Sequence, residues 1–420
     1  MPASFRLPGM VCTDHLLDVP LDHADPGGPA IGLYAREVVA AGREDAGLPW
    51  LLFLQGGPGG KATRPNAGAA WLPEALKHYR VLLMDQRGTG RSTPATRQTL
   101  PADPADAAAY LGHFRADAIV RDAELLRRRL AGDRPWSVLG QSFGGFCTVT
   151  YLSQAPEGLA EAFVTGGLPG LTTGPDEVYR AAYPRVLAHN ERYFARYPGD
   201  RDAARRVRDH LAEHDVRLPG GDRLTPRRFQ TLGIAFGSSA RFDALHFLLE
   251  EAFAGEELSD AFLRGVDAEV SYAGQPLYAL LHEAIYCQGG ASRWAAERVR
   301  AEFPEFAPDA DEVRFTGEMI YPWFFDEDPA LRPLRDAAGL LADRADWPAL
   351  YDAGRLAANT VPVAAAVYHD DMYVDREDSL RTAAAIRGLK PWVTSEYAHN
   401  GLAADGRVFA RLRAMARGEV

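Results

Sequence analysis

Trp136-Ser137-Val138-Leu139-Gly140-Gln141-Ser142-Phe143-Gly144-Gly145 is the stretch of sequence that decides the fold. A short apolar run, the signature of a buried strand, breaks into Gly-x-Ser-x-Gly, and an apolar helical stretch follows at once. This is the pattern of a nucleophile elbow, in which a sharp strand-to-helix turn lifts a serine hydroxyl above a sheet. Glycines are needed on either side of that serine, because side chains there would collide with the neighbouring strand and helix. Taken alone, the five-residue pattern also fits a serine that caps a helix after a strand. Its weight rests on the surrounding chain.

Two earlier apolar runs end in the same abrupt way. Trp50-Leu51-Leu52-Phe53-Leu54 enters Gln55-Gly56-Gly57-Pro58-Gly59-Gly60, and Arg80-Val81-Leu82-Leu83-Met84 enters Asp85-Gln86-Arg87-Gly88-Thr89-Gly90-Arg91-Ser92. Buried parallel strands behave so when their carboxyl ends open onto a site. Asp117 to Leu130 has the spacing of a crossover helix, and Phe163-Val164-Thr165 marks a further strand. From about Thr172 to Pro348 the pattern is almost wholly helical, with start signals at Thr225-Pro226, Ser238-Ser239, Ser259, Gln275-Pro276 and Ser292. Strand character returns at Val361 to Tyr368 and Trp392 to Tyr397, and Val408 to Arg417 reads as a closing helix. The chain of 420 residues is therefore expected to form an α/β sheet domain from residues 1–171 and 349–420, with a helical insertion over 172–348.

Composition narrows the function classes. Hydrophobic residues make up 47% and charged residues 25%, the balance of an ordinary globular protein, which excludes a mainly disordered, collagenous or coiled-coil chain. The net charge is −11 with no basic block, so neither a nucleic acid nor an anionic membrane is an expected partner. The only lysines are Lys61, Lys77 and Lys390, and the other cations are arginines. Cys12, Cys147 and Cys287 stand alone, with no CxxC spacing, which fits a reducing compartment better than a disulfide framework. Met1 to Asp14 lacks the apolar stretch of a signal peptide, and no window approaches the ~18 apolar residues of a membrane span, so a cytoplasmic location is expected.

A serine hydroxyl attacks only after a base takes its proton, and in this architecture the acid and the histidine follow the serine in that order. His399, in Ala398-His399-Asn400-Gly401 just after the final strand, is the candidate base. Tyr368-His369-Asp370-Asp371-Met372, past the penultimate strand, offers two carboxylates; Asp371 is preferred as the orienting acid and Asp370 is its alternative. The oxyanion of a tetrahedral intermediate needs two backbone N–H donors. Phe143 supplies one, and the Gly56-Gly57 loop is the natural source of the other. Competing motifs fail on spacing. A phosphate loop ending at Lys61 would need glycine at Gln55 and a hydroxyl at Ala62, and a dinucleotide fingerprint from Gly88 would need glycine at Thr93. A zinc site at His282-Glu283 would need histidine at Tyr286. No metal or organic cofactor is expected.

Together, GGPGG after the first strand, DQRGTGRS after the second, GQSFGG at the elbow and YHDDMYVD near the end resemble the proline iminopeptidases (prolyl aminopeptidases). The resemblance runs from about Leu51 to Leu402 and implies the α/β-hydrolase fold, a mostly parallel sheet flanked by helices with an inserted helical cap. It implies Ser142 as nucleophile, Asp371 as acid, His399 as base, and oxyanion donors in the Gly56-Gly57 loop and at Phe143. One departure stands out: the first loop usually begins with histidine, and here it begins with Gln55. Leu281 to Tyr286 resembles the family's cap helix, which carries an amine-binding glutamate, and so implies that role for Glu283. Glu318, in a second acidic turn, is a further candidate for the amine, and Tyr286 and Trp323 for walls of a proline pocket. The aromatics from Tyr321 to Phe325 also fit packing within the cap, Phe324 and Phe325 above all. Asp85 to Ser92 is expected to brace the two glycine-rich turns through Arg and Asp pairing.

The activity implied is release of N-terminal proline from short peptides by a serine exopeptidase. Two alternatives remain at this point: a capped hydrolase of a small ester, lactone or amide, and a non-enzymatic ligand-binding module on the same fold. The oligomeric state is not legible.

Overall fold

A computed structural model describes residues 3–65, 70–238 and 240–420. Its centre is a nine-stranded sheet, in spatial order β1-β2-β3-β5-β4-β6-β7-β10-β11. The strands are β1 (Ser4–Leu7), β2 (Met10–Pro20), β3 (Ala30–Ala40), β4 (Trp50–Leu54), β5 (Arg80–Asp85), β6 (Trp136–Gln141), β7 (Leu159–Thr165), β10 (Val363–Tyr368) and β11 (Leu389–Thr394). A small hairpin, β8 (Phe253–Ala254) with β9 (Glu257–Leu258), lies in the insertion. From β5 across to β11 every pairing in the sheet is parallel. At the other edge β1, β2 and β3 pair antiparallel, and β3 joins β5 antiparallel.

The continuous apolar runs follow from burial on both faces. Side chains alternate across a strand, so Leu52 and Leu54 of β4 enter one apolar cluster while Leu51 and Phe53 enter the other. The crossover helix Ala116–Ala131 and the elbow helix Phe143–Gln154 cover the first face with Ile119, Ala123, Val149 and Leu152. The closing helix Gly406–Arg417 and the short helix Trp71–Leu76 cover the second with Val408, Phe409, Leu412 and Leu72. Between β7 and β10 the chain is helical apart from the β8–β9 hairpin, and its aromatics Tyr183, Tyr193, Phe236 and Phe315 belong to the same cluster as the first sheet face. The insertion and the sheet thus share one apolar core.

Several expectations are met at the level of single residues. Thr225 accepts from the Arg228 N–H at 3.2 Å and Ser259 from the Phe262 N–H at 3.1 Å, so both cap helices as their spacing predicts. The start at Ser238-Ser239 falls partly on Ser239, which lies outside the described residues; a helix is present over Ala240–Glu250. The last strand is Leu389–Thr394 rather than Trp392 to Tyr397, because parallel pairing with β10 sets Val363 opposite Leu389 and Tyr368 opposite Thr394. Pro391 is tolerated there since β11 is an edge strand. The antiparallel strands β1 to β3 were not anticipated. Their sequences interleave charged and polar residues such as Asp14, His15, Arg36 and Glu37 and lack the long apolar runs of the central strands.

The turn at Ser142 depends on missing side chains. A methyl group on Gly144 would overlap the Leu54 carbonyl at the end of β4, and one on Gly145 would overlap the Gly167 carbonyl after β7. Gly144→Ala should therefore destabilise the fold by about 1–3 kcal/mol or more, as overpacking does. Gly339→Ala, in the helix Arg335–Asp343 with open space around its Cα, should stabilise by about 0.5–1 kcal/mol. Thermal unfolding followed by circular dichroism checks the opposite signs; an unchanged melting temperature for Gly144→Ala would contradict the packing account.

Candidate active site

Ser142 stands between β6 and the helix Phe143–Gln154 with φ +54°, ψ −125°, a conformation that L residues rarely adopt. Such strain costs about 1–3 kcal/mol and persists only where the surroundings dictate it. Here the Ser142 N–H donates to the Thr165 carbonyl at 3.0 Å and the Ser142 carbonyl accepts from the Gly145 N–H at 2.7 Å, so both neighbouring elements hold the turn. Phe143 opens the helix, where N–H groups have no acceptor within the helix itself. Gly56 packs directly against the serine: a Cβ there would sit 2.9 Å from the Ser142 Cβ. Gly56, Gly57, Ser142 and His399 line one cavity of about 430 Å³.

His399 lies in the loop after β11, its Nδ1 2.7 Å from Asp371 Oδ2. The other Asp371 oxygen, Oδ1, accepts the N–H groups of Tyr373 at 2.9 Å and Val374 at 3.1 Å, so the carboxylate cannot rotate away from the imidazole. The Tyr373 ring meets the imidazole edge to face at 4.8 Å, and Gly166 leaves the space against which the ring lies. Burial pulls the His399 pKa down, but the charge and hydrogen bond of Asp371, followed by the charge of Glu318, outweigh it and hold the pKa above the ordinary value. Asp370 turns elsewhere. It is one-third exposed and pairs with Arg192 at 3.0 Å and His369 at 2.9 Å, and the Arg192 bond leads the effects that bring its pKa down to about 2.

The two glycine-rich turns are braced as expected, though by different partners. Asp85 is fully buried and accepts from the N–H groups of Ala62 and Arg91 and from both ends of the Arg64 guanidinium at 2.7 Å. Arg87 pairs with Asp122 on the crossover helix instead, and the Gln86 amide donates to the Gln55 carbonyl at 2.9 Å. The Gln55 side chain accepts from the Thr63 hydroxyl at 3.2 Å.

The predicted amine and pocket residues separate. Glu318 lines the cavity, and its Oε1 accepts from the Tyr278 hydroxyl at 2.7 Å with His282 Nε2 3.7 Å away. Glu283 is not brought to the cavity. Its carboxylate accepts from the N–H groups of Ala295 at 3.1 Å and Ala296 at 2.9 Å, which start the helix Ala295–Arg300. The residue before that helix, Trp294, has no side chain able to cap it, so the buried glutamate serves as the acceptor. Burial raises the Glu283 pKa against the opposing effect of those bonds.

Tyr286 packs among Phe146, Tyr179 and His282 beside a separate small void. Trp323 stacks on Tyr321 at 5.2 Å, with its indole N–H on Glu297 at 3.2 Å and Arg227 over its face, and it does not line the cavity. Phe324 does, along with Tyr272, Tyr278 and Tyr373, which sequence reasoning did not single out. Tyr278 and Glu318 are 40 positions apart, and no local spacing signals their pairing.

The family model described as the alpha/beta hydrolase fold matches residues 49–247. A proline iminopeptidase of Aspergillus aculeatus is 37% identical over 400 residues, covering 92% of this chain and 89% of its own. A proline iminopeptidase of Aeromonas sobria is 51% identical over 408 residues, covering 96% of each chain. At that identity over nearly their whole lengths, the chain belongs to the proline iminopeptidase family, with the α/β-hydrolase fold.

Proposed function

We propose that this protein is a serine exopeptidase that releases proline from the N-terminus of peptides, with Ser142 as nucleophile, His399 as base and Asp371 as the acid that orients it. The observation that carries this reading is one cavity that holds Ser142, the Asp371-bound His399 and the carboxylate of Glu318 together. His399 Nε2 takes the Ser142 hydroxyl proton as Oγ bonds to the scissile carbonyl carbon. The N–H of Phe143 and one from the Gly56-Gly57 loop hold the resulting oxyanion. The C–N bond then breaks, the leaving amine receives the proton from the imidazolium, and water hydrolyses the prolyl ester in the mirror sequence.

Residues 172–348 act as the cap over this chemistry and supply the reader of the amine. An N-terminal proline is a secondary ammonium, and enclosing it is costly unless a carboxylate replaces its water. Glu318 fills that role because it faces the cavity and its charge already reaches His399. Glu283 holds the cap together through the helix at Ala295.

Glu318→Gln should lower kcat/KM on a prolyl amide about tenfold to a hundredfold, the roughly 1.5–3 kcal/mol of a charged hydrogen bond, and much less on an uncharged ester. Steady-state kinetics on the two substrates decides; equal losses would remove Glu318 from amine recognition. Glu283→Ala should instead lower the melting temperature, by the equivalent of about 0.5–2 kcal/mol for a lost helix cap. Because only neutral imidazole accepts the proton, kcat/KM should rise with pH through an apparent pKa above the ordinary histidine value. Glu318→Gln should shift that pKa downward by removing a negative charge. Asp371→Asn should lower kcat severely and Asp370→Asn little, and the reverse order would exchange the two assignments.

A further inference from the structure

Two short helices of the insertion form one wall of the catalytic cavity: Arg241 stands in the first turn of Ala240–Glu250, and Glu269 near the end of Asp260–Val270. The two side chains pair with each other, and both remain well exposed, at 44% and 38%. Arg241 and Glu269 also line a second pocket of about 200 Å³, together with Leu232, Ala235, Leu245 and Leu248. Gly265 keeps that space open, since a Cβ there would lie 2.6 Å from the Leu248 side chain. The ion pair is therefore common to the polar reaction cavity and an apolar annex. Among the described residues that line the reaction cavity, Arg241 is the one fixed cation.

We propose that Arg241 receives the α-carboxylate of the residue leaving after proline, and that the apolar annex takes that residue's side chain, so that the site is built for dipeptides headed by proline. This rests on the exopeptidase reading above. A dipeptide is a zwitterion, and the cavity offers a matching pair of charges, with Glu318 for the ammonium and Arg241 for the carboxylate. Both charges act on Tyr373, whose ring packs against His399, and that of Glu318 acts on His399 as well. An exposed ion pair contributes little to stability, so a substrate carboxylate competes for the guanidinium at small cost. With five N–H donors, Arg241 binds that carboxylate with one edge while another stays near Glu269. In a longer peptide a neutral amide occupies the place of the carboxylate, and the guanidinium gains no charged partner.

The test compares Pro-Leu with Pro-Leu amide, which share the scissile bond and differ only in the terminal charge. The wild-type enzyme should favour the free acid in kcat/KM by about tenfold or more. Arg241→Gln should bring that ratio to about one. Glu269→Gln, which breaks the same ion pair but frees Arg241, should raise the ratio above the wild-type value. A pair that serves only structure would shift both variants the same way or leave the ratio unmoved, and either result overturns the proposal, as does a wild-type ratio near one. Prolyl 2-naphthylamide separates the two levels of failure. Its turnover by an enzyme with a ratio near one overturns only the role of Arg241, whereas inactivity of the wild type towards it and both dipeptides overturns the exopeptidase reading and this proposal with it.

Discussion

The close approach of the elbow to the strand beside it is the constraint on which the rest depends. Gly144 has no room for a side chain against the Leu54 carbonyl, and Gly56, two residues further along that segment, touches Ser142. This contact fixes two features at once. It holds Ser142 at its left-handed φ, and it brings the Gly56-Gly57 loop beside the serine, where an oxyanion would form. Hydrophobic burial on both sheet faces supplies the stability against which such local strain is held. The absence of a side chain at both glycines sets where the chemistry is able to occur.

The insertion takes part in the site as well as covering it. The His399 N–H donates to the Gly237 carbonyl at 2.9 Å, the Tyr373 hydroxyl bonds to the Ile234 carbonyl, and His189 Nε2 lies 2.7 Å from the Asp370 carbonyl. Each of these contacts ties the helical insertion to a loop that carries His399 or Asp371. A methyl on Gly237 would overlap the Tyr373 ring, so that residue is small for the sake of the contact. The loops after β10 and β11 are thus positioned from above by the insertion and from below by the sheet. The position of His399 therefore depends on how the insertion packs, through an apolar cluster that is continuous with one sheet face.

What was legible in the sequence was what repeats locally. β4, β5 and β6 announce themselves because strands buried on both faces are apolar throughout and end in glycines. His399 and Asp371 stand out by their places after the last two strands, and the structure sets Nδ1 of the one 2.7 Å from Oδ2 of the other. The antiparallel strands β1 to β3 were hidden by their charged residues, and β11 was displaced because the register is set by pairing with β10, which no property of residues 392–397 reveals. Glu283 is the most instructive case. An acid among apolar residues reads equally as a ligand-binding carboxylate or as a buried cap, and the helix that it caps begins 12 positions further on. Glu318 and Tyr278 pair across 40 positions, a tertiary fact without a sequence signature.

The central claim is that one serine at the elbow carries the prolyl group as an ester while the leaving amine departs. Acid quenching of the wild-type enzyme during the first turnovers of a prolyl ester, followed by peptide mass spectrometry, tests it most directly. The account predicts one prolyl group on the peptide that contains Ser142, and on no other. A burst of released alcohol without any enzyme-bound prolyl group, or with that group on another residue, would contradict it.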